Sequence, residues 1–385
     1  GFKDKRHKDD MISLNSFIPV DPEYFQGLDT KIVRRHIYAM PCMISDAHPA
    51  YDYFGQDNWN TPRRTHHGVK LGVPWTVDAF CMNASERPAD LQCWEIDQTM
   101  RRYPGVNGIY FDVASTGYCE NQHHGCGGID ALGQHYRSSN ALGYRRFLLR
   151  IYKIVKKNQG SIMLHSHVQF MPMTQAFVDF FAPGENTFQT MATNLEHGYC
   201  EGISLEEYQS DFNWRKAGVT YCMLLQTGRA AAGVPALNQY EKVVLSDPKY
   251  AYSALTPMLQ HDLNVWGHYV SRKEIGKFWD LRAALNFAAI KKFHAYWESS
   301  AVTSSSEKVL CSWYEWDSPQ PYRRLLLISN FNRDSKPLQL HIDFAALGVP
   351  EPVAYYDVWK DIEMTRTDLE QFQLDGNNFL MLGIK

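Results

Sequence analysis

The chain has 385 residues, of which 44% are apolar and 21% charged, and its formal net charge is −3. That balance supports a sizeable core and excludes a disordered chain, and it offers none of the basic surplus that grips nucleic acid or anionic lipid. No apolar run approaches the length of a membrane span, so no membrane insertion is expected.

Residues 1–30 begin with the charged run KDKRHKDD and continue with proline punctuation, which marks a linker leading into the fold. Short apolar runs then alternate with helix-period segments, the pattern of βα units on a parallel sheet. Strands are expected at Arg35–Met43, Val69–Trp75, Gly108–Val113, Ser161–His165, Ala176–Phe181 and Val219–Leu225, with a weaker one at Leu263–Trp266. Helices are expected at Pro88–Arg102, Leu142–Lys157 and Leu205–Lys216. The second of these is firmly amphipathic, with Phe147, Leu148, Ile151, Ile154 and Val155 on one side and Arg and Lys on the other. From residue 293 the texture changes to short β-rich runs broken by Asp, Asn, Pro and Gly.

The expected architecture is α/β. A (β/α)8 TIM-type barrel spans residues 31–292 and a small antiparallel β-sandwich domain spans 293–385. Too few strands are found to close eight. The first one or two are therefore expected upstream of Gly1, on a preceding segment or a partner chain that completes the barrel.

Aromatic residues make up 14% of the chain. Most suit strand packing, and a minority suit a cleft in which flat rings meet sugar faces. The strongest local signal is Gly108-Ile109-Tyr110-Phe111-Asp112, an apolar strand ending in a carboxylate, where a parallel barrel carries its chemistry. A second carboxylate, Glu185, follows Pro183-Gly184 after another aromatic strand. Two such groups meet the minimal requirement of glycoside hydrolysis, a proton donor and a base or nucleophile. Asp112 and Glu185 are accordingly the catalytic candidates, with Glu185 as general acid/base. Between them, Ser161–His165 runs into Ser166-His167. His165, His167, Asn121, His124, Tyr110 and Trp75 are assigned to substrate binding.

The loop after Asp112 holds Cys119, His123, His124 and Cys126. A disulfide could tie it off in an oxidising compartment, or these side chains could ligate zinc. With no CxxC and no second ligand pair at standard spacing, no metal and no other cofactor is expected. Asn83-Ala84-Ser85 fits a glycosylation acceptor.

Gly108–Asp112, Cys119-Glu120-Asn121, His124-Gly125-Cys126-Gly127, the helix around Tyr144–Phe147, Leu164-His165-Ser166 and Gly184-Glu185 together resemble the catalytic domain of glycoside hydrolase family 123-like proteins, in a branch with a HGCG loop. The resemblance covers residues 30–290. It implies a (β/α)8 barrel and action on glycans outside the cytoplasm. It also implies β-N-acetylgalactosaminidase chemistry by a neighbouring Asp and Glu. Here Asp112 is followed by Val113, and that acid pair is missing. The expectation is therefore an extracellular or lumenal glycosidase acting on an oligo- or polysaccharide. The alternative is a non-catalytic carbohydrate-binding or structural protein on the same barrel.

Overall fold

The computed structural model describes residues 36–41, 43–45, 60–67, 76–83, 87–103, 105–112, 114, 116–166, 170–213, 218–267, 269–316, 321–350 and 354–385. Two compact units emerge. The first comprises the described residues of Gly1–Ala182 and Ala217–Thr220, the second those of Pro183–Lys216 and Tyr221–Lys385. No helix among the described residues is long and apolar enough to cross a membrane.

In the first unit, β1 (His36–Ala39), β2 (Gly108–Phe111), β3 (Ser161–His165) and β4 (Phe180–Ala182) lie side by side and parallel. The register aligns Ala39 with Phe111, Phe111 with Leu164, and His165 with Ala182. Because side chains alternate across a strand, this register sorts the sheet into two faces. Ile37, Ile109 and Ile162 share one face with Ala39, Phe111, Leu164 and Phe181, and all are buried. That face packs on helices. Phe111 meets Phe147, at 5.8 Å between ring centroids, from α2 (Ala141–Lys157). The buried side of α2 is Gly143, Tyr144, Phe147, Leu148, Ile151 and Val155, the spacing of a single helical stripe. Lys156 and Lys157 in its last turn suit the negative end of the helix dipole. Helix α1 (Arg87–Arg102) packs beside it.

The opposite face is polar. His36 Nε2 and Ser161 Oγ lie 2.9 Å apart at its base, half-buried Tyr38, Tyr110 and Met163 form the next level, and Asp112 and His165 stand at the strand ends. The first unit also holds an antiparallel sheet of Met43–Ser45, Thr76–Phe80 and Asn60–His67. The expected strand Val69–Trp75 lies outside the described residues.

In the second unit, which takes up β5 (Thr220–Leu224) from Tyr221 onward, that strand runs parallel to β6 (Asn264–Trp266). Among the described residues the first unit thus holds four parallel strands and the second a parallel pair, and closure of the expected eight-stranded barrel is not shown. The C-terminal region is built on one six-stranded antiparallel sheet. Its order is β7 (Ile290–His294), β8 (Val309–Trp316), β9 (Arg324–Asn330), β12 (Asn378–Ile384), β10 (Tyr355–Asp357) and β11 (Ile362–Met364). Where a small sandwich is expected, the described residues show a separate antiparallel domain with one principal sheet and smaller strand pairs against one of its faces. On one face the strand pairs Val302–Ser304 with Leu340–Ile342, and Lys336–Pro337 with Gln373–Leu374, close a core of Trp313, Leu326, Ile328, Leu380 and Leu382. Helix α3 (Pro248–Gln260) packs against β9 and β12. The sequence of β9, RLLLISN, is buried from Leu325 through Asn330, as a strand covered on both faces must be. Buried Gln260 is fully engaged. Its amide donates to Leu327 O and Ser329 Oγ, each at 2.9 Å, and its oxygen accepts from Ser312 at 2.8 Å.

At the end of α3, His261 stacks on Tyr208 and Trp297, at 4.7 and 5.3 Å between ring centroids, and donates from Nδ1 to Pro257 O at 2.8 Å. Burial pushes this imidazole down from 6.5 to about 4. The folded state thus holds the ring neutral while the unfolded chain protonates it below 6.5. The stability contributed by the neutral ring is full above pH 6.5 and lost as pH falls toward 4. The melting temperature of the wild-type chain should fall more steeply across this window than that of His261→Phe, which keeps a stacked ring without a titrating group. Parallel pH profiles would show that His261 carries none of the slope.

Candidate functional site

Asp112 is the first residue past the end of β2, and its backbone N–H donates to Ala39 O at 2.8 Å, continuing the parallel ladder. Its carboxylate is 23% exposed and faces two side chains from the neighbouring strands. Tyr38 Oη donates to Oδ2 at 2.6 Å, a short charge-assisted hydrogen bond. His165 Nε2 lies 3.8 Å from Oδ1. His165 is buried, with Nδ1 only 2.6 Å from Ala182 O. A carbonyl can only accept, so Nδ1 carries its proton toward Ala182 and Nε2 is the nitrogen turned to Asp112. The segment past Asp112 is anchored by Ala114, whose N–H donates to His165 O and whose carbonyl accepts from Gln175, both at 2.9 Å.

The Tyr110 ring packs beside Tyr38 at 5.7 Å and shares the polar face with Asp112. Of the residues assigned to this site by sequence, the structure therefore gathers Asp112, His165 and Tyr110. His167 and Trp75 lie outside the described residues. Asn121 and His124 stand on the loop that follows. Asn121 Oδ1 accepts from the His123 N–H at 2.8 Å, and His124 Nε2 lies 3.2 Å from Cys119 Sγ. Asn83 spends its amide on Ser139 O, at 2.9 Å.

Three residues of that loop, Cys119, His124 and Cys126, meet Cys81 in a group that, among the described residues, could hold a metal ion. Hydrogen bonds from Cys81 and His124 hold the Cys119 thiol well below the ordinary thiol range. Cys81 is invisible to a spacing rule, because it comes from a different segment than the loop cysteines.

Glu185 belongs to the second unit, on a 3-10 turn of Glu185–Thr187 stapled by Thr187 Oγ1 to Gly184 O at 2.7 Å. Its carboxylate is mostly buried and accepts a hydrogen bond from Arg229 in an ion pair. Arg229 rises from the helix Thr227–Gly233, immediately after β5. Nothing in the sequence around Arg229 singled it out, since the pairing joins two separate loops.

Neither a protein-family model nor any curated protein matches the chain. Its fold is similar to the crystal structure of an alpha-amylase from Lactobacillus plantarum, at 11% identity over 89% of this chain and 76% of that one, with a TM-score of 0.52. A cyclic alpha-maltosyl-(1→6)-maltose hydrolase from Arthrobacter globiformis aligns at 12% identity over 91% and 75% of the two chains, with a TM-score of 0.44. The first likeness assigns the chain to an amylase-like fold, a parallel α/β arrangement with a separate antiparallel sheet.

The buried bond between His165 and Ala182 gives a stability prediction. His165→Ala leaves that carbonyl without its donor and should cost at least about 1–3 kcal/mol in urea unfolding. An unchanged midpoint and slope would contradict the hydrogen bond.

Proposed function

We propose that the chain is a glycoside hydrolase acting on an extracellular oligo- or polysaccharide, with Asp112 as one of its reacting carboxylates. The observation that supports this most directly is the position of Asp112. It is half-buried at a parallel strand end, with Tyr38 donating to one oxygen and His165 facing the other. A carboxylate with a donor on one oxygen and a histidine against the other suits a nucleophile, a base or a substrate-orienting acceptor better than a proton donor. In hydrolysis such a group either attacks the anomeric carbon or activates the water that does, while a second acid protonates the leaving oxygen. Tyr110 and Tyr38, adjacent on the same face, supply the flat apolar surface that sugar rings favour.

Glu185 is proposed as that second acid. It must part from Arg229 to donate a proton, because a guanidinium offers only donors and keeps the carboxylate an acceptor. The likeness in fold to an alpha-amylase supports including that enzyme's substrates in the panel tested. The finer resemblance to family 123-like proteins rests on short motifs, and Val113 after Asp112 removes the basis for N-acetylhexosaminidase chemistry.

The Arg229–Glu185 ion pair also favours a second reading, a carbohydrate-binding protein on a glycosidase-like scaffold that has no proton donor available.

A glycan-library screen with purified protein should reveal hydrolysis of at least one polysaccharide. On that substrate Asp112→Asn should lower kcat/KM by about 100-fold or more, with glycan binding retained. Glu185→Gln should likewise abolish turnover. Retained glycan binding with no hydrolysis across the library would establish the second reading, and full activity in Asp112→Asn would remove Asp112 from the reaction.

A further inference from the structure

The loop leaving Asp112 carries a constellation that the proposed hydrolysis does not use. Residues 118–139 form a small sheet in the order Tyr118–Cys119, His135–Ser139 and Gly127–Ile129. Its large apolar side chains point outward: Tyr118 and Ile129 are each 63% exposed and Leu132 82%. The side chains buried within it are Cys119, Asn121 and Cys126. So short an excursion, with its apolar groups in solvent, cannot be held by hydrophobic burial, and metals or cross-links commonly replace a core at this scale.

Cys119 and Cys126 converge with His124 and with Cys81, which follows the strand Thr76–Phe80. One ligand atom from each of the four lies within 4.8 Å of all the others. Cys81 Sγ and Cys126 Sγ are 3.7 Å apart, and Cys119 Sγ is 3.2 Å from His124 Nε2. A tetrahedron with Zn–S bonds of about 2.3 Å has sulfur–sulfur edges of about 3.8 Å. A disulfide between any two of the three thiols would leave the third over, whereas one metal ion uses all three and the imidazole.

An N–H donor faces each of the three sulfurs. The Asn83 N–H donates to Cys81 Sγ at 3.4 Å and the Asn121 N–H to Cys119 Sγ at 3.5 Å, while Asn83 Nδ2 reaches Cys126 Sγ at 3.7 Å. The turn closed by Asn121 Oδ1 on the His123 N–H leaves His123 exposed and directs His124 inward. Two close approaches make the cluster possible. A Cβ on Gly127 would lie 2.0 Å from Glu120 O, and one on Gly143 would lie 2.4 Å from Met82 O, beside Cys81. Any other residue at either place would push the ligand segments apart.

We propose that Cys81, Cys119, His124 and Cys126 form a structural zinc site that fixes the loop following Asp112. On binding Zn²⁺ the three thiols release three protons and His124 coordinates as the neutral ring through Nε2, so the complex carries a net charge of −1. Four protein ligands complete the tetrahedron and leave no position for a substrate or water, so the ion braces the loop and takes no part in chemistry. The site rests on the cysteine geometry and holds whether or not the chain hydrolyses glycans.

The test is metal analysis of the full chain purified from zinc-supplemented medium, with about one zinc per chain expected. The Co²⁺-substituted wild-type protein should show the intense visible bands of a tetrahedral thiolate centre. His123→Ala should keep the metal, whereas Cys126→Ser and His124→Ala should lose it. Chelation should expose residues 118–139 to protease. If the variants fail to fold, the cobalt spectrum of the wild-type chain decides. Failure of the wild-type protein to take up zinc or cobalt, a cobalt spectrum without thiolate character, or a disulfide between any two of Cys81, Cys119 and Cys126 by mass spectrometry would overturn the proposal.

Discussion

Parallel register in the first sheet is the constraint on which the candidate site depends. Phe111 pairs with both Ala39 and Leu164, so the next residue of each later strand, Asp112 and His165, meets at the same height. Tyr38 is level with Tyr110, one step lower on the same face, and its long side chain reaches up to the carboxylate. A slip of one residue in β2 would turn Asp112 into the helix-packed face and bring Phe111 out of it. The packing that forbids the slip is Phe111 against Phe147, together with the buried run Ile109, Ile162 and Leu164. The hydrophobic face of the sheet thus fixes the geometry of the polar one.

The loop beyond Asp112 solves a different problem. Burial orders the strands, but 118–139 has no apolar interior, and the groups it buries are sulfur and amide. Its organisation runs through hydrogen bonds to thiols, an Asx turn and two glycines, which are local and directional. The second unit relies on burial again, with both faces of β9 covered and the polar groups at the cover satisfied by Gln260 and Ser312.

Much of this was legible in the sequence where periodicity carries the information. Ser161–His165 is the strand that alternation implied, α2 starts one residue before the expected Leu142, and the antiparallel sheet begins at Ile290, close to the change of texture at 293. Expected strand Ala176–Phe181 begins later, at Phe180, because Pro172–Gln175 is helical and Asp179 is spent on Lys156 Nζ, at 2.5 Å, and on the Ile162 N–H. Helix α3 and the helix Arg272–Ala284 were missed. The first is buried on nearly all sides and so shows no amphipathic stripe. Asp112 was legible as a strand-end acid, but the bond from Tyr38 to its carboxylate, the Arg229 clamp on Glu185 and the contribution of Cys81 were not. Each joins segments far apart in the chain, which no local pattern reports.

In the proposed function, glycan binds at the Asp112 face. Carboxyl-group footprinting of the full chain, with and without a saturating glycan identified by hydrolysis or binding, tests it directly. Asp112 should react in the free protein and be protected in the complex, while exposed carboxylates such as Glu363 and Glu370 react equally in both. Equal labelling of Asp112 with and without glycan would contradict it.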